Sequence, residues 1–316
     1  MDPILEMLAE RAGREQVLTG EPMSRHTTFR IGGPADWFVA PKTTEQLQAV
    51  VAGCRENALS YFILGNGSNL LVSDAGYRGA VIQIYKNLDA FAVEGTTIRA
   101  QAGALLSALA AAARDAGLTG MEFASGIPGT LGGAVTMNAG AYGGEMKDIL
   151  TRVTVLDEEN RIRVIEANAL ALGYRTSRVK TENWIVLEAE MDLRPGDRDA
   201  ISARMEELRE ARTSKQPLSY PSAGSTFKRP AGHFAGKLIM DAGLAGASVG
   251  DAQISEKHCG FLINTGAATA RDVRMLMAHV QKTVLEKYGV CLEPEVKMLG
   301  EFQPDEALLE QPDLQG

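Results

Sequence analysis

The sequence predicts a mixed α+β protein that is long enough for two or more domains. Its 316 residues are roughly twice the length of a typical domain. The apolar patterns run strand, helix, strand and loop, which is typical of α/β units. The segment from Leu193 to Asp197, with Pro195 and Gly196, interrupts every periodic pattern and is the best domain boundary in the chain. Two α/β units precede this break and a third follows it.

The first unit is predicted over residues 36–68, after a separate leading helix. Residues 1–20 form a short leading helix, and a strand lies near residues 36–40. Thr43 and Gln46 have the spacing of a capping box, and apolar residues then recur at helical spacing over residues 47–54. Residues 61–64 form a buried strand, which ends at a glycine-rich loop.

The second and third units follow the same reasoning. An alanine-rich helix is predicted over residues 104–116, and alternation over 185–193 predicts a strand with one solvated face. After the break, a charged helix runs over 201–212 and a buried strand over 261–264. Thr269 begins a helix that ends at Gly289, and residues 290–298 are predicted to be a strand.

Composition restricts the possible partners and location. With 32 basic and 40 acidic residues the net charge is −8, which argues against nucleic acid or an anionic membrane as a general partner. Three scattered cysteines suit neither a disulfide framework nor a zinc site, and no metal is expected. The first residues carry acids where a signal peptide needs positive charge, so we expect a cytoplasmic protein.

Two glycine-rich segments are the strongest candidates for ligand binding. Gly65-Asn66-Gly67-Ser68-Asn69 follows a strand, where consecutive backbone N–H groups suit an anion. Leu70 replaces the third glycine of a dinucleotide fingerprint, so a Rossmann interpretation is poor and an ordinary tight turn is the alternative. Residues 120–144 hold eight of the 33 glycines. They indicate backbone that closely approaches a flat or phosphorylated ligand, or alternatively a glycine-rich linker.

Three further segments carry weaker signals. Tyr174 and Arg175 offer an aromatic ring and a guanidinium that suit a carboxylate or phosphate, although an exposed basic turn is the commoner explanation. Ser225 lies beside Lys228 and Arg229, which indicates an anionic ligand or a solvated turn; the nucleophile-elbow and phosphate-loop motifs are both absent. Glu295 is a single carboxylate near a predicted strand.

Taken in order, these motifs carry a family resemblance. They are residues 26–41, 64–74, 126–145, 173–178, 221–230, 242–269 and 292–296. The set resembles the UDP-N-acetylenolpyruvoylglucosamine reductase family over residues 21–298. The resemblance implies an FAD-binding fold of the vanillyl-alcohol-oxidase type, made of two α/β subdomains, followed by a substrate-binding domain. The implied bounds are an N-terminal helix (1–20), FAD-binding subdomains (21–85 and 86–196), a substrate domain (197–302) and an acidic tail (303–316).

The resemblance also implies an activity: NADPH reduces bound FAD, which then reduces the enolpyruvyl group of the substrate to give UDP-N-acetylmuramate for peptidoglycan. Arg175 is implied to stabilise the substrate carboxylate, Glu295 to share that role or to orient the network, and Ser225 to donate a proton. Tyr174, Lys228 and Arg229 are implied to bind substrate. The implied FAD-binding residues are Gly65, Asn66, Gly67, Ser68, Asn69, Gly126, Gly129, Gly132, Gly133, Asn138, Ala139 and Gly140.

One departure refines the resemblance, and two rival functions remain. Only 49 residues separate Arg175 from Ser225. That is too few for the loop by which one subclass closes a tyrosine over the substrate, so the chain resembles the other subclass.

No obligate protein partner is expected. The rivals are another FAD-dependent oxidoreductase of the same fold, acting on a small alcohol, and a non-catalytic flavin- or nucleotide-sugar-binding module.

Overall fold

Two compact units, each with its own hydrophobic core, make up the chain in a computed structural model that describes residues 2–302. The first unit contains the described residues up to Leu18, then Trp37–Asn66 and Gly79–Arg212. The second contains Thr19–Asp36, Gly67–Arg78 and the described residues from Thr213 onward. Segments 19–36 and 67–78, which lie within the predicted first FAD-binding subdomain, therefore group with the C-terminal residues. The subdomain bounds stay a prediction, and the predicted acidic tail lies outside the described residues.

Five of the helices among the described residues begin beside a side chain that accepts a backbone N–H, namely that of Asp2, Thr43, Ser177, Asp197 or Thr269. The bounds of the helices are α1 Pro3–Ala12, α2 Thr44–Glu56, α3 Leu106–Asp115, α4 Leu131–Met137, α5 Arg178–Thr181, α6 Arg198–Lys215, α7 Ala235–Asp241 and α8 Ala270–Tyr288.

The strands are short, as expected for a chain with frequent glycines. They are β1 Val17–Pro22, β2 Pro34–Val39, β3 Tyr61–Leu64, β4 Leu70–Val72, β5 Tyr77–Gln83, β6 Phe91–Glu94, β7 Thr97–Gln101, β8 Leu118–Thr119, β9 Gly140–Ala141, β10 Gly144–Glu145, β11 Leu150–Leu156, β12 Ile162–Glu166, β13 Ile185–Asp192, β14 Arg194–Pro195, β15 Ser222–Ser225, β16 Ser248–Val249, β17 Ala252–Ile254, β18 Phe261–Asn264 and β19 Lys297–Leu299.

Most of the first unit is built on an antiparallel sheet of five strands in the order β12-β11-β13-β7-β6. One face of β13 packs into the core through Leu187, Ala189 and Met191, while Glu188 and Glu190 alternate on the outer face. Glu188 and Glu190 pair there with Arg99 and Arg152 of neighbouring strands. The predicted strand is therefore confirmed over Ile185–Asp192, and its alternation from Leu187 onward; Val186, predicted on the solvated face, is buried. A second sheet, of order β1-β2-β5-β3, has β3 and β5 parallel.

The second unit contains an antiparallel sheet of order β15-β18-β17-β16 and the long helix α8. Thr269 and Asp272 form a complete capping box at the start of α8, and Gly289 ends it with a φ of 67°. A separate parallel pair, β19 with β4, joins residues 297–299 to residues 70–72. Since β4 directly follows the 65–69 loop, this pairing brings two distant sequence motifs together.

Several predicted elements are confirmed, and two are wrong in extent. The strands at 61–64 and 261–264 have the predicted bounds, and Thr43 accepts a hydrogen bond from the Gln46 N–H at the start of α2. The leading helix ends at Ala12, because Gly13 has a φ of 92° that a helix cannot continue. Residues 290–298 are not one strand. Only Lys297–Leu299 pairs regularly, and Pro294, which lacks an N–H, makes a single bridge to Phe227.

Unfolding should become easier as the pH falls below neutrality, because of His258. Its side chain is half-buried, its Nδ1 accepts the Gly260 N–H at 3.1 Å, and burial lowers the pKa of the imidazole. In the unfolded chain the imidazole has its ordinary pKa of about 6.5, so near this pH the unfolded chain binds a proton at His258 more readily than the folded chain does. This stabilising contribution is therefore complete above about pH 6.5 and is lost as the pH falls through the lower, folded-state pKa. Burial shifts the pKa of His279 in the same direction.

Urea unfolding between pH 5.5 and 7.5 would measure this effect. We expect His258→Gln to flatten the dependence of the unfolding free energy on pH, by at most about 1.4 kcal/mol per pH unit. His233→Gln, at an exposed position, should leave the slope unchanged. If the His258→Gln variant is as steep as the parent protein, His258 makes no such contribution.

Candidate active site

The start of the 65–69 loop is tied to the glycine-rich segment within the first unit. A Cβ at Gly65 would overlap the Thr130 hydroxyl, so no larger residue fits there. Asn66 Nδ2 donates to the Pro128 carbonyl at 2.7 Å. The structure therefore brings together two segments that the sequence analysis singled out separately, and it leaves the chain at Asn66 held against residues 128–130.

The rest of the loop, Gly67 to Asn69, belongs to the second unit and is shaped to hold an anion. Gly67 has a φ of 63°, and a Cβ there would overlap the His26 carbonyl. Among the described residues, the backbone N–H groups of Gly67, Ser68 and Asn69 donate to no protein acceptor. Three consecutive N–H groups without protein acceptors suit the oxygens of a diphosphate. The loop thus fits the diphosphate that FAD would place there.

Residues 120–144 contain more regular structure than the sequence indicated. The short helix α4 begins at Leu131, and the N–H groups of Leu131 and Gly132 donate at 2.8 Å to the carbonyls of Ala104 and Ala102. A Cβ on Gly132 would lie 2.9 Å from Ala102 Cβ, whereas one on Gly133 would meet nothing closer than 3.7 Å. Gly132 is therefore required by packing within the protein, and Gly133 is not.

The remaining cofactor candidates of this segment lie at its two ends. A Cβ on Gly126 would lie 3.1 Å from Arg212 Cδ, and one on Gly140 would lie 2.7 Å from the Gly144 carbonyl oxygen. Gly129 accepts a hydrogen bond from the Leu106 N–H at 3.1 Å. Asn138 ends α4 and is only 1% exposed, while Ala139 is half-buried. The Asn138 side chain is thus enclosed by the protein.

Tyr174 and Arg175 form the tip of a tight turn in the first unit. Gly173 and Thr176 close the turn, with the Gly173 N–H donating to the Thr176 carbonyl at 3.0 Å. Arg175 has a φ of 56° and is half-buried, and its guanidinium lies 5.4 Å from the centre of the Tyr174 ring. Tyr174 itself is 57% exposed. The turn presents a planar cation beside an accessible aromatic ring, which suits a carboxylate.

Ser225 and Glu295 are brought together by backbone pairing within the second unit. Ser225 ends β15 just after a bulge at Gly224, whose φ is 78°. The next residue, Thr226, accepts the Glu295 N–H at 2.8 Å, and the Lys228 N–H donates to the Glu293 carbonyl at 2.8 Å. Ser225 is exposed, and among the described residues no protein group hydrogen-bonds its hydroxyl. A serine hydroxyl and a carboxylate residue thus lie at one stretch of antiparallel backbone.

The two predicted substrate cations of the second unit both have protein partners. Lys228 Nζ forms an ion pair with Glu293, and the Arg229 guanidinium lies 4.0 Å from the centre of the Phe234 ring. Glu293 had no role in the sequence analysis. Because its carboxylate offsets the charge of Lys228, an anionic ligand at Lys228 has to compete with this ion pair.

Two residues that contact the predicted site segments were not singled out from the sequence. Thr28 Oγ1 donates to the Ser222 carbonyl at 2.7 Å, and its N–H donates to the Gly67 carbonyl at 3.2 Å. Thr28 therefore links the 65–69 loop to the strand that carries Ser225. In the sequence, only its position within the motif over residues 26–41 pointed to this threonine. Arg212 lies beside Gly126, and burial lowers the pKa of its guanidinium. No local motif marks that arginine, which lies in a charged helix.

A cavity of about 390 Å³ opens in the first unit. It lies between Phe123, the turn at Tyr142 and the first half of α6, where Ile201, Arg204 and Leu208 line it. No predicted site residue lines this cavity.

Among residues 2–302, no cluster of three or more metal-ligating side chains is found. Within the same range, none of the helices combines the length and the apolar character that crossing a bilayer requires.

Comparisons with known proteins decide between the possible families. A family model described as "UDP-N-acetylenolpyruvoylglucosamine reductase, C-terminal domain" matches residues 216–299, and one described as "FAD binding domain" matches residues 35–166. The UDP-N-acetylenolpyruvoylglucosamine reductase of Caldanaerobacter subterraneus subsp. tengcongensis is 52% identical over 298 residues, which cover 94% of this chain and 98% of the relative. The chain belongs to the UDP-N-acetylenolpyruvoylglucosamine reductase family.

Other members of this reductase family are similar over comparable lengths. The protein of Clostridioides difficile is 49% identical over 288 residues, covering 91% of this chain and 95% of the relative. A crystal structure of the Thermus caldophilus reductase aligns with a TM-score of 0.77 at 36% identity, covering 90% of this chain and 98% of that one. The predicted fold class, an FAD-binding region followed by the C-terminal domain of this reductase family, is thereby confirmed.

Proposed function

We propose that this chain reduces the enolpyruvyl group of UDP-N-acetylenolpyruvoylglucosamine to the lactyl group of UDP-N-acetylmuramate, with NADPH as the reductant and FAD as the bound cofactor, in peptidoglycan precursor synthesis. The full-length similarity to reductases of this name supports the reaction. The observation that carries the site assignment is the backbone pairing of the Ser225 and Glu295 segments, since it unites two distant motifs in one place.

FAD, when bound, supplies the hydride chemistry that no side chain of this protein provides. The chain's own residues bind and orient it. The N–H groups of Gly67, Ser68 and Asn69 suit its diphosphate, and residues 126–144 would supply backbone to the flavin and the ribityl chain. Arg212, beside Gly126, places a positive charge near this segment, where it would balance negative charge of the bound cofactor.

Arg175 is assigned to the substrate carboxylate. Hydride addition to the methylene carbon of the enolpyruvyl group builds negative charge on the adjoining carbon, and this charge spreads into the carboxylate. A guanidinium aimed at the carboxylate stabilises that charge more in the transition state than in the ground state. Glu295 shares this role or orients the groups around it.

Ser225 is assigned as the proton donor. After hydride addition the carbon beside the carboxylate carries an electron pair, and a proton from Ser225 Oγ completes the lactyl group. A neutral hydroxyl can act here because an enolate derived from a carboxylate is strongly basic. The serine then recovers its proton from solvent. The exposed position of Ser225 agrees with this exchange.

Tyr174, Lys228 and Arg229 are assigned to the anionic and ring portions of the UDP-sugar. Lys228 would exchange its ion pair with Glu293 for a substrate phosphate or carboxylate. The short spacing between Arg175 and Ser225 supports assignment to the subclass without a tyrosine-bearing loop. We propose a cytoplasmic location and no obligate protein partner, which agrees with a reaction among small, charged, soluble compounds.

An anaerobic experiment on the purified flavoprotein tests the reaction. NADPH should bleach the visible absorbance of the flavin, and UDP-N-acetylenolpyruvoylglucosamine should restore it, whereas UDP-N-acetylglucosamine, which lacks the enolpyruvyl group, should not. Failure of the first compound to restore the absorbance would rule out the assignment. Bleaching by a small alcohol and rapid recovery in oxygen would instead favour the rival oxidoreductase. A colourless protein that releases no flavin on denaturation would exclude both.

A further inference from the structure

The turn that carries Arg175 holds its backbone in a conformation that arginine rarely adopts. Its φ of 56° lies in the left-handed region, where side chains other than glycine and asparagine are disfavoured. Such a conformation persists only where the surrounding structure imposes it. The residues that form hydrogen bonds with the two ends of this turn therefore help to fix the position of the Arg175 guanidinium.

Asn138 supplies the first of these hydrogen bonds. The Gly173 carbonyl, at the base of the turn, accepts the Thr176 N–H at 3.3 Å and Asn138 Nδ2 at 3.1 Å. Nδ2 also donates to Glu145 Oε2 at 2.6 Å, and Asn138 Oδ1 accepts the Lys147 N–H at 2.9 Å. All the side-chain polar atoms of this buried residue are thus used to connect the end of α4, the hairpin of β9 and β10, and the arginine turn.

Ser177 anchors the other end of the turn to the same helix. It is 1% exposed, and its Oγ donates to the Thr136 carbonyl at 2.8 Å. The same oxygen accepts the Lys180 N–H at 3.3 Å and begins α5. Both ends of the turn are therefore pinned to the last residues of α4, two positions apart in sequence.

We propose that Asn138 is a positioning residue for Arg175, with Ser177 as the second anchor, so that the end of the glycine-rich helix α4 sets where the guanidinium meets the substrate carboxylate. The inference rests on the proposed role of Arg175. It differs from the cofactor role that the family resemblance implied for Asn138, because the buried amide is directed to Gly173 and Glu145.

The chemistry of the amide explains why asparagine occupies this position. It provides two N–H donors and one acceptor oxygen, and the geometry uses all three. Asn138 itself has a φ of 43°, which asparagine tolerates better than most residues. Replacement by glycine keeps that backbone conformation accessible and removes only the amide. Asn138→Gly is therefore the test variant.

A matched control exists in the same unit. Asn57 ends α2 as Asn138 ends α4, and its Nδ2 donates to the Gly53 carbonyl at 2.9 Å. Asn57→Gly removes the same kind of hydrogen bond from an exposed helix end that has no connection to the turn. The variants to compare are Asn138→Gly, Ser177→Ala, Asn57→Gly and Arg175→Gln, each measured as the FAD-loaded protein in both half-reactions.

We expect Asn138→Gly and Ser177→Ala to retain FAD and to be reduced by NADPH at the parent rate. Their reoxidation by substrate should slow about 10-fold to 100-fold, as expected when a catalytic group is slightly misplaced. Asn57→Gly should change neither step. A second measurement does not depend on the cofactor: hydrogen exchange of the Thr176 N–H should quicken in Asn138→Gly, with or without FAD, and stay unchanged in Asn57→Gly.

The outcomes separate this inference from the proposed role of Arg175. If Arg175→Gln leaves reoxidation intact, the role of Arg175 is wrong. If Arg175→Gln slows reoxidation but Asn138→Gly and Ser177→Ala do not, the positioning inference alone is overturned. Equal losses in both half-reactions, or loss of FAD, would assign Asn138 to the cofactor site and also overturn it. Should Asn138→Gly fail to fold, Ser177→Ala decides the question.

Discussion

Ser225→Ala is expected to slow reoxidation of the reduced enzyme by substrate about 10²-fold to 10⁴-fold, the usual contribution of a positioned proton donor. Reduction of the flavin by NADPH should stay nearly unchanged, because that step needs no proton from Ser225. The position of the Ser225 hydroxyl supports the same expectation. The hydroxyl stands just beyond the bulge at Gly224 and has no protein partner among the described residues, so its proton is available to the substrate.

Stopped-flow absorbance under anaerobic conditions measures the two steps separately. Ser222→Ala is the matched control, since Ser222 lies on the same strand before the bulge and contributes its backbone carbonyl, not its hydroxyl, to Thr28. That variant should be unaffected in both steps. Equal losses in flavin reduction and reoxidation by Ser225→Ala would contradict the role of proton donor.

Arg175→Gln is expected to have the second-largest effect, a loss of about 10²-fold to 10³-fold in reoxidation by substrate, comparable to removing one group that stabilises a developing anion. Glutamine keeps polar contacts but removes the positive charge on which the stabilisation depends. Arg175→Lys should recover part of the rate, because it restores the charge without the planar fork that pairs with a carboxylate.

The same half-reaction assay distinguishes this role from a general effect of charge. Arg178 lies three residues further on, and its guanidinium rests 4.8 Å from the centre of the Trp184 ring. Arg178→Gln changes the charge of the same segment without touching the turn, so its reoxidation rate should match that of the parent protein. A comparable loss in Arg178→Gln would indicate a long-range effect of charge and would remove the specific role of Arg175.

Much of the fold was predictable because its local signals agree with the tertiary structure. The capping box at Thr269 and Asp272, the glycine at 289 and the strand at 261–264 depend on neighbours in sequence. The wrong extents have physical causes too. Apolar residues over 290–298 predict a strand. In the structure, Pro294 interrupts this segment, and residues 293–295 form only a few backbone contacts with residues 226–228.

For the candidate site, the sequence gives the residue types but not their connections. The 65–69 loop and the Arg175, Ser225 and Glu295 segments were recognisable as motifs, and their order along the chain indicated the family that the comparisons later showed. Thr28 and Arg212 were not found, because a threonine in a loop and an arginine in a charged helix carry no local signature. Their place in the site comes from contacts with residues far away in the chain.

Residue identity and spacing along the chain are enough to predict the fold class, the family and the segments that carry the motifs. The partners of each polar group become known only from the folded structure. It paired Glu295 with the backbone after Ser225, engaged Lys228 with Glu293, and turned the amide of Asn138 towards Gly173. A hydrogen bond requires its two atoms to lie within about 3 Å. Distance along the chain does not determine distance in space, so these partners became visible only once the chain was folded.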